Sequence, residues 1–270
     1  MTELLTHYIK NFAPISLEDM NTHSALLERQ ENKYVLTVDQ FQELISEFSD
    51  KFDRLTIDGQ AVFNYRSVYF DTDSLIGYTY HNQGRNKRRF KIRTRYYIES
   101  GLCFFEIKVK DKRGGTIKKR MKYNAADYGT INDEAMKFMH DTYEQVYAEP
   151  FQHKISAMME VNYSRMTLVA KRGGERMTID FNLWFTEGKY RTHVRPFVII
   201  ETKSPTGKGI ADSIFRQHNI RSRSCSKYCL GANLLRFNVK HNRFKPLLKL
   251  YENSPERTTS ALAVTPELVQ

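Results

Sequence analysis

The chain has 270 residues, enough to bury a core of its own, and carries 42 Lys plus Arg against 31 Asp plus Glu, a formal charge of +11. That excess calls for an anionic partner, and nucleic acid, an acidic membrane surface and small polyphosphates all satisfy it. No run of about 18 apolar residues is present to cross a bilayer. The opening MTELLTHYIKNF has no basic flank followed by an apolar core, and Cys103, Cys225 and Cys229 lack the second pair or clustered histidines of a zinc site. A soluble, cytoplasmic protein with free thiols is expected.

In chain order, residues 1–26 read as a lead-in, irregular apart from a possible short helix, and 27–253 as one domain. The segment 27–36 (LERQENKYVL) reads as a strand with Arg29, Glu31 and Lys33 on one face, and Thr37 or Asp39 as the cap of the helix that follows. Val38, Phe41, Leu44, Ile45 and Phe48 recur at helical spacing in that helix. Residues 64–72 (NYRSVYFDT) read as a strand, and 74–82 as a short helix or loop.

The stretch 88–123 (RRFKIRTRYYIESGLCFFEIKVKDKRGGTIKKRMKY) dominates the chain. With a period of two, Arg89, Lys91, Arg93 and Arg95 fall opposite Phe90, Ile92, Thr94 and Tyr96. After a turn at Ser100-Gly101, Glu106, Lys108 and Lys110 fall opposite Cys103, Phe105, Ile107 and Val109. A third run follows Gly114-Gly115 and puts Lys118, Arg120 and Lys122 on one face. One such face is ordinarily a solvated sheet surface. Three in succession place like charges side by side, which is destabilising unless something anionic compensates them.

Residues 125–147 then predict a helix, with Ile131, Ala135, Phe138, Met139, Tyr143 and Val146 as its core stripe. Strands are expected over 159–166, 167–171, 176–183 and 197–203. In the third, Arg176, Thr178 and Asp180 share a face; in the fourth, Glu201 and Lys203 do. A helix over 207–219, the basic loop RSRSCSKY and a short helix to 235 complete the domain, and 254–270 read as a disordered tail. His193 and His218 are assigned no role. The repeated grammar predicts an α+β protein: a closed antiparallel barrel of about eight strands with a basic interior, forming a tunnel, and helices over its apolar outside.

Such an interior would bind a chain of phosphates through charge-assisted hydrogen bonds. Glu31, Glu106, Asp180 and Glu201 lie among the cations, and each taken alone reads as a salt-bridge partner. As a set beside phosphate ligands they suggest one or two ligands for a hard divalent ion, Glu201 first.

The residues that carry this pattern also carry a resemblance. Arg29-x-Glu31-x-Lys33-Tyr34, Arg93-x-Arg95, Glu106-x-Lys108, Lys118-x-Arg120, Asn162-Tyr163-Ser164-Arg165, Arg176-x-Thr-x-Asp180, Glu201-x-Lys203 and Ser226-Lys227-Tyr228 occur in the order found in one family. Over 27–236 the chain resembles the catalytic domain of the vacuolar transporter chaperone (VTC) complex. That domain is the polyphosphate polymerase branch of the triphosphate tunnel metalloenzymes, and the branch includes stand-alone bacterial members.

The resemblance implies an antiparallel tunnel and transfer of the ATP γ-phosphoryl group to a growing polyphosphate chain. It implies phosphate-binding roles for Lys33, Arg93, Arg95, Lys108, Lys118, Arg165 and Arg176. Substrate contacts would come from Arg120, Lys203, Glu31 and Lys227, the last in a loop that otherwise reads as a solvated cationic turn. Glu201 would be the ligand of Mn or Mg. The choice of Lys118 over Lys119 rests on strand alternation. Arg29 stands where the wider superfamily has the first Glu of its Glu-x-Glu-x-Lys strand, which resembles the polymerases more than the hydrolases.

ATP and inorganic polyphosphate are the expected partners, with no nucleic acid. Recruitment to a membrane protein encoded elsewhere is compatible with this reading. Two other readings stand beside the polymerase: a tripolyphosphatase or nucleoside triphosphatase of the same fold, and a non-catalytic module that binds polyphosphate or nucleic acid.

Overall fold

A computed structural model describes residues 8–24, 30–83, 88–111, 114–193, 197–235 and 239–252. The expected tail therefore lies outside the described residues, as does Arg29. The strands are β1 (Pro14–Ile15), β2 (Gln30–Thr37), β3 (Phe52–Leu55), β4 (Val62–Asp71), β5 (Phe90–Tyr97), β6 (Cys103–Lys110), β7 (Thr116–Tyr123), β8 (Ser156–Ala170), β9 (Arg176–Glu187), β10 (Tyr190–His193) and β11 (Phe197–Ser204). The helices are α1 (Leu17–Ser24), α2 (Val38–Ile45), α3 (Ile76–Gln83), α4 (Asp133–Tyr147), α5 (Ile210–Gln217), α6 (Lys227–Leu235) and α7 (Lys245–Glu252).

Eight strands follow one hydrogen-bonded path, β2-β11-β9-β8-β4-β5-β6-β7. The fold is α+β with an antiparallel sheet, as the sequence predicts. The path ends at β2 and β7, so hydrogen bonds do not close it among the described residues. Three short strands stand off it: β3 pairs with β8, β1 runs parallel to β3, and β10 folds back on β9.

The chain divides into two compact units, and β8 and β9 are long enough to serve both. The first takes the described residues of Met1–Asn64, Tyr163–Leu183 and Val194–Cys225; the second takes those of Tyr65–Asn162, Trp184–His193 and Ser226–Gln270.

In the first unit the even positions of β2, β8 and β11 and the odd positions of β9 form the apolar face. Tyr34, Leu36, Met166, Leu168, Met177, Ile179, Val198 and Ile200 pack there with Phe41, Leu44 and Ile45 of α2 and Ile214 and Phe215 of α5. Each buried side chain of this kind contributes roughly 1.5–3 kcal/mol. This burial on one face lets the other face be charged. Thr37 caps α2 with Gln40 in a reciprocal capping box.

In the second unit Phe90, Ile92, Phe105, Ile107 and Val109 turn to one side, where α4 covers them with Ala135, Met139, Tyr143 and Tyr147. The other side carries the basic residues of β5, β6 and β7.

Several boundaries differ from the sequence reading. The helix expected over 125–147 begins only at Asp133, because Gly129 sits at φ 86° and the Asn132 side chain accepts the N–H of Ala135 to start a new helix. A single turn of 3-10 helix covers Ala125–Asp127. The strands expected over 159–166 and 167–171 are one strand, β8. The lead-in is ordered over Pro14–Ser24 by pairing of β1 with β3 and by α1. Strands β3 and β10 and helix α7 have no counterpart in the sequence reading. Cys103, Cys225 and Cys229 are buried free thiols. His218 meets Glu47 at 2.7 Å.

Candidate active site

In the second unit, pleating converts the basic motif into cross-strand rows. Tyr69, Arg93, Glu106 and Arg120 stand opposite one another on β4, β5, β6 and β7. One row toward the β5–β6 turn are Ser67, Arg95, Phe104 and Lys122; one row the other way are Lys91, Lys108 and Lys118. Successive rows are two residues, roughly 6.8 Å, apart.

Glu106 organises the middle row. It is 2% exposed and receives Arg93 Nε at 2.6 Å, Arg93 Nη2 at 2.5 Å and Lys118 Nζ at 2.6 Å. Burial alone would raise its carboxyl, but the charges of Arg93, Arg95 and Lys118 outweigh this and hold it well below the usual carboxylate range. Arg93 also donates to the Tyr69 hydroxyl at 2.8 Å. Arg95 is buried, donates to Ser67 Oγ at 3.3 Å and lies 5.6 Å from the Tyr65 ring.

Lys118 turns toward Glu106, whereas Lys119 bonds Gln145 of α4. Lys118, chosen by alternation, lies on the side of Glu106. Among these three rows Glu106 is the one carboxylate against Arg93, Arg95, Arg120, Lys91, Lys108, Lys118 and Lys122.

Lys91, Tyr69 and Ser226, which the sequence reading gave no site role, lie beside the candidate residues. The Lys91 ammonium donates to Ser226 Oγ at 2.9 Å, and Ser226 Oγ also accepts the N–H of Cys229 in the first turn of α6. Burial depresses Lys91; Cys229 and Tyr69 oppose it, and Lys108 and Arg93 add smaller pushes downward. Its place among Arg89, Arg93 and Arg95 was the signal that could have found it. Lys227 opens α6 next to Ser226. Tyr228, two residues along α6 from Ser226, donates to the buried Asp71 carboxylate, which also accepts the N–H groups of Gly77 and Tyr78 in the first turn of α3.

In the first unit, β2, β11, β9 and β8 bring together Glu31, Lys33, Glu201, Lys203, Arg176, Asp180 and Arg165. Register sets Glu201 opposite Lys33, and Lys203 opposite both Glu31 and Arg176. Glu201 receives Lys33 and Lys203, each at 2.8 Å; Glu31 also pairs with Lys33 and lies 4.0 Å from Lys203. Arg165 forms a two-pronged pair with Asp180, at 2.5 and 2.8 Å. Burial would raise Glu201, but Lys33, Lys203 and Arg165 hold it well below the usual range. Positive and negative charges are here close to balance.

Among the described residues no three His, Cys, Asp or Glu side chains are grouped to hold a metal. Glu201 and Glu31, two carboxylates that share the Lys33 ammonium, are the pair that could take a divalent ion. One or two carboxylates fit a hard divalent ion, which fills its remaining positions with water and phosphate oxygens.

The model of the VTC domain family matches residues 28–236. The chain belongs to the VTC domain family. A VTC domain implies chemistry on phosphoryl groups, with nucleotide or polyphosphate substrates and, in general, divalent metals. No curated protein matches the chain.

Solved structures similar to this VTC domain include a candidate adenylate cyclase of Bacillus halodurans, 14% identical, over 73% of this chain and 93% of that one, with a TM-score of 0.49. Another is the Hippeastrum protein HpAC1, a candidate adenylyl cyclase described as having a dominant triphosphatase activity, 13% identical, over 76% and 96%, with a TM-score of 0.43. A third is the PH1012 protein of Pyrococcus horikoshii, 15% identical, over 72% and 92%, with a TM-score of 0.39. No helix among the described residues of the VTC domain is long and apolar enough to cross a membrane.

Proposed function

We propose that this VTC domain, acting through residues 27–253, is a polyphosphate polymerase that transfers the γ-phosphoryl group of ATP to the end of a polyphosphate chain. The observation that carries the reading is the set of cationic rows on β5, β6 and β7, in which Glu106 is the one carboxylate. A surface so short of negative charge is matched to a ligand that brings several phosphates.

Phosphoryl transfer asks a protein for alignment and for neutralisation of the charge on the transferred group. Arg93, held by Glu106 and Tyr69, presents its guanidinium in a fixed orientation, and Arg95 is fixed by burial and Ser67. With Lys108 and Lys118 they would clamp the triphosphate, and Arg120 would extend the contact. Arg165, fixed by Asp180, is assigned to the triphosphate as well. Lys33 and Arg176 are assigned to the transferred group or to guiding product, with Lys203 and Lys227 as further substrate contacts. Glu201, supported by Glu31, would hold Mn or Mg, which supplies charge neutralisation at phosphate oxygens. The acceptor phosphate is ionised at neutral pH, so the transfer needs no general base.

The test is incubation of the purified chain with ATP and Mn or Mg, with products resolved on a polyphosphate gel while ADP and free phosphate are followed. The expected result is a ladder with stoichiometric ADP. ADP with equivalent free phosphate would replace the polymerase by a hydrolase, and tight polyphosphate binding without turnover would replace it by a binding module. Glu201→Gln is expected to weaken Mn binding in the presence of inorganic tripolyphosphate by about tenfold or more, read by electron paramagnetic resonance. Unchanged Mn binding and full metal-dependent turnover would remove Glu201 from the metal site.

A further inference from the structure

The cationic face of the second unit changes character along its length. Followed from Lys91 and Lys108 past Arg93 and Glu106 to Arg95 and Phe104, it ends at the β5–β6 turn in a row formed by Tyr65 and Tyr97, with Leu102 bonded to Tyr97 through the backbone. The strand period puts Tyr65, Tyr97, Leu102 and Phe104 on the same side as Arg95 and Arg93.

These rings are partly exposed, whereas the core of the unit lies on the opposite face of the same strands. Tyr97 stands between Tyr65, at 4.9 Å, and Phe104, at 5.8 Å, both edge-on. The Arg120 guanidinium lies 4.7 Å from the Phe104 ring, and that of Arg95 5.6 Å from the Tyr65 ring. Gly101, at φ +65°, makes the tight turn that brings β6 back beside β5. Two of the large apolar side chains exposed among the described residues, Ile98 at 45% and Leu102 at 41%, lie in this one turn. A single exposed leucine needs no explanation, but a cluster with three aromatic rings beside two arginines does.

We propose that this aromatic end of the face is the nucleobase subsite of the nucleoside triphosphate, with Tyr97 and Phe104 as its stacking surface and Arg120 as a second planar partner. The proposal rests on the polymerase reading for its substrate and adds how that substrate is oriented. A nucleoside triphosphate has one flat, weakly polar end and one polyanionic end, and the face has the same polarity. Aromatic rings come first, then Arg95 and Arg93, then a row of lysines only. Stacking tolerates any base because every base has a π-face, so the subsite favours larger rings without reading hydrogen-bond edges. A guanidinium over the ring adds a cation–π contact.

The experiment is calorimetric titration of the full chain, without metal so that no turnover occurs, with ATP, UTP and inorganic tripolyphosphate. The expected affinity order is ATP, then UTP, then tripolyphosphate. Tyr97→Leu and Phe104→Leu are each expected to weaken ATP binding by about tenfold and to leave tripolyphosphate binding unchanged, which is the size of loss that stacking predicts. Equal affinity of the wild type for ATP and tripolyphosphate overturns the subsite, and needs no variant to fold. Parallel loss of both ligands in the variants overturns it too, since it would mean that the rings only support Arg95. A chain that makes no polyphosphate but prefers ATP in this titration loses the polymerase reading and keeps the subsite.

Discussion

Two charged clusters, one in each unit, solve the same electrostatic problem in opposite ways. In the first unit Lys33, Lys203 and Arg165 meet Glu31, Glu201 and Asp180 nearly one for one. In the second, Glu106 is the one carboxylate in the three rows that carry Arg93, Arg95, Lys91, Lys108 and Lys118. The balanced cluster pairs its own charges, and Lys33, Lys203 and Arg165 keep Glu201 ionised. The second carries more cations than acids in its rows, an excess that a polyanion would meet.

The sharpest way to break this contrast is to remove the carboxylate at the centre of the cationic rows. Glu106→Gln is expected to cost about 3 kcal/mol, because it removes the buried carboxylate that pairs with the Arg93 guanidinium and the Lys118 ammonium. Denaturant unfolding measures the loss, and tripolyphosphate should raise the Tm of the variant more than that of the wild type. The depressed Glu106 carboxyl contributes stability at neutral pH that is lost as pH falls below the ordinary carboxylate range, so the variant should also show a flatter acid limb. An unchanged response to tripolyphosphate would remove the idea that a polyanion meets the cation excess of these rows.

A second effect belongs to the unit with the balanced cluster. Glu175 is 2% exposed and accepts the N–H groups of Ile210 and Ala211 at the start of α5. Burial, with help from the charge of Asp212, raises it to about 7 despite those hydrogen bonds. A raised carboxyl binds its proton more tightly when folded, so its contribution is full below the ordinary glutamate value and is lost as pH rises to about 7. Glu175→Gln should abolish that decline and leave the variant about 2 kcal/mol less pH-sensitive between pH 4.5 and 8, by denaturant titration at both ends. A wild-type profile flat over this range would refute it.

The smallest effect tests the support of Lys91. Ser226→Ala removes the acceptor of its ammonium and is expected to cost about 1 kcal/mol at pH 8. Because the folded state holds Lys91 below its ordinary value, stability rises with pH as the ammonium is lost, and the deficit of the variant should shrink toward pH 10. A deficit that stays constant between those pH values would assign the loss to the start of α6 alone.

Most of the charged faces was legible in the sequence, because a strand has a period of two and the apolar partners were equally regular. That is why Arg93, Arg95, Lys108 and Lys118 fell on one face, Glu201 beside Lys203, and Arg176 beside Asp180. Boundaries failed where a local backbone choice overrode periodicity, as at Gly129 and Asn132 before α4. The short strands β1, β3 and β10 owe their existence to partners far along the chain, which no local pattern announces.

The sequence by itself determined which side of each strand is charged, since that follows from alternation and needs no partner. Tertiary structure alone decided which charges compensate which. Glu106 serves Arg93 and Lys118 because register sets three strands side by side, and Glu201 serves Lys33 and Lys203 because β11 runs against β2. It also decided that Lys91 ends on Ser226, 135 residues away, a pairing fixed by where α6 packs and not by anything near either residue in the chain.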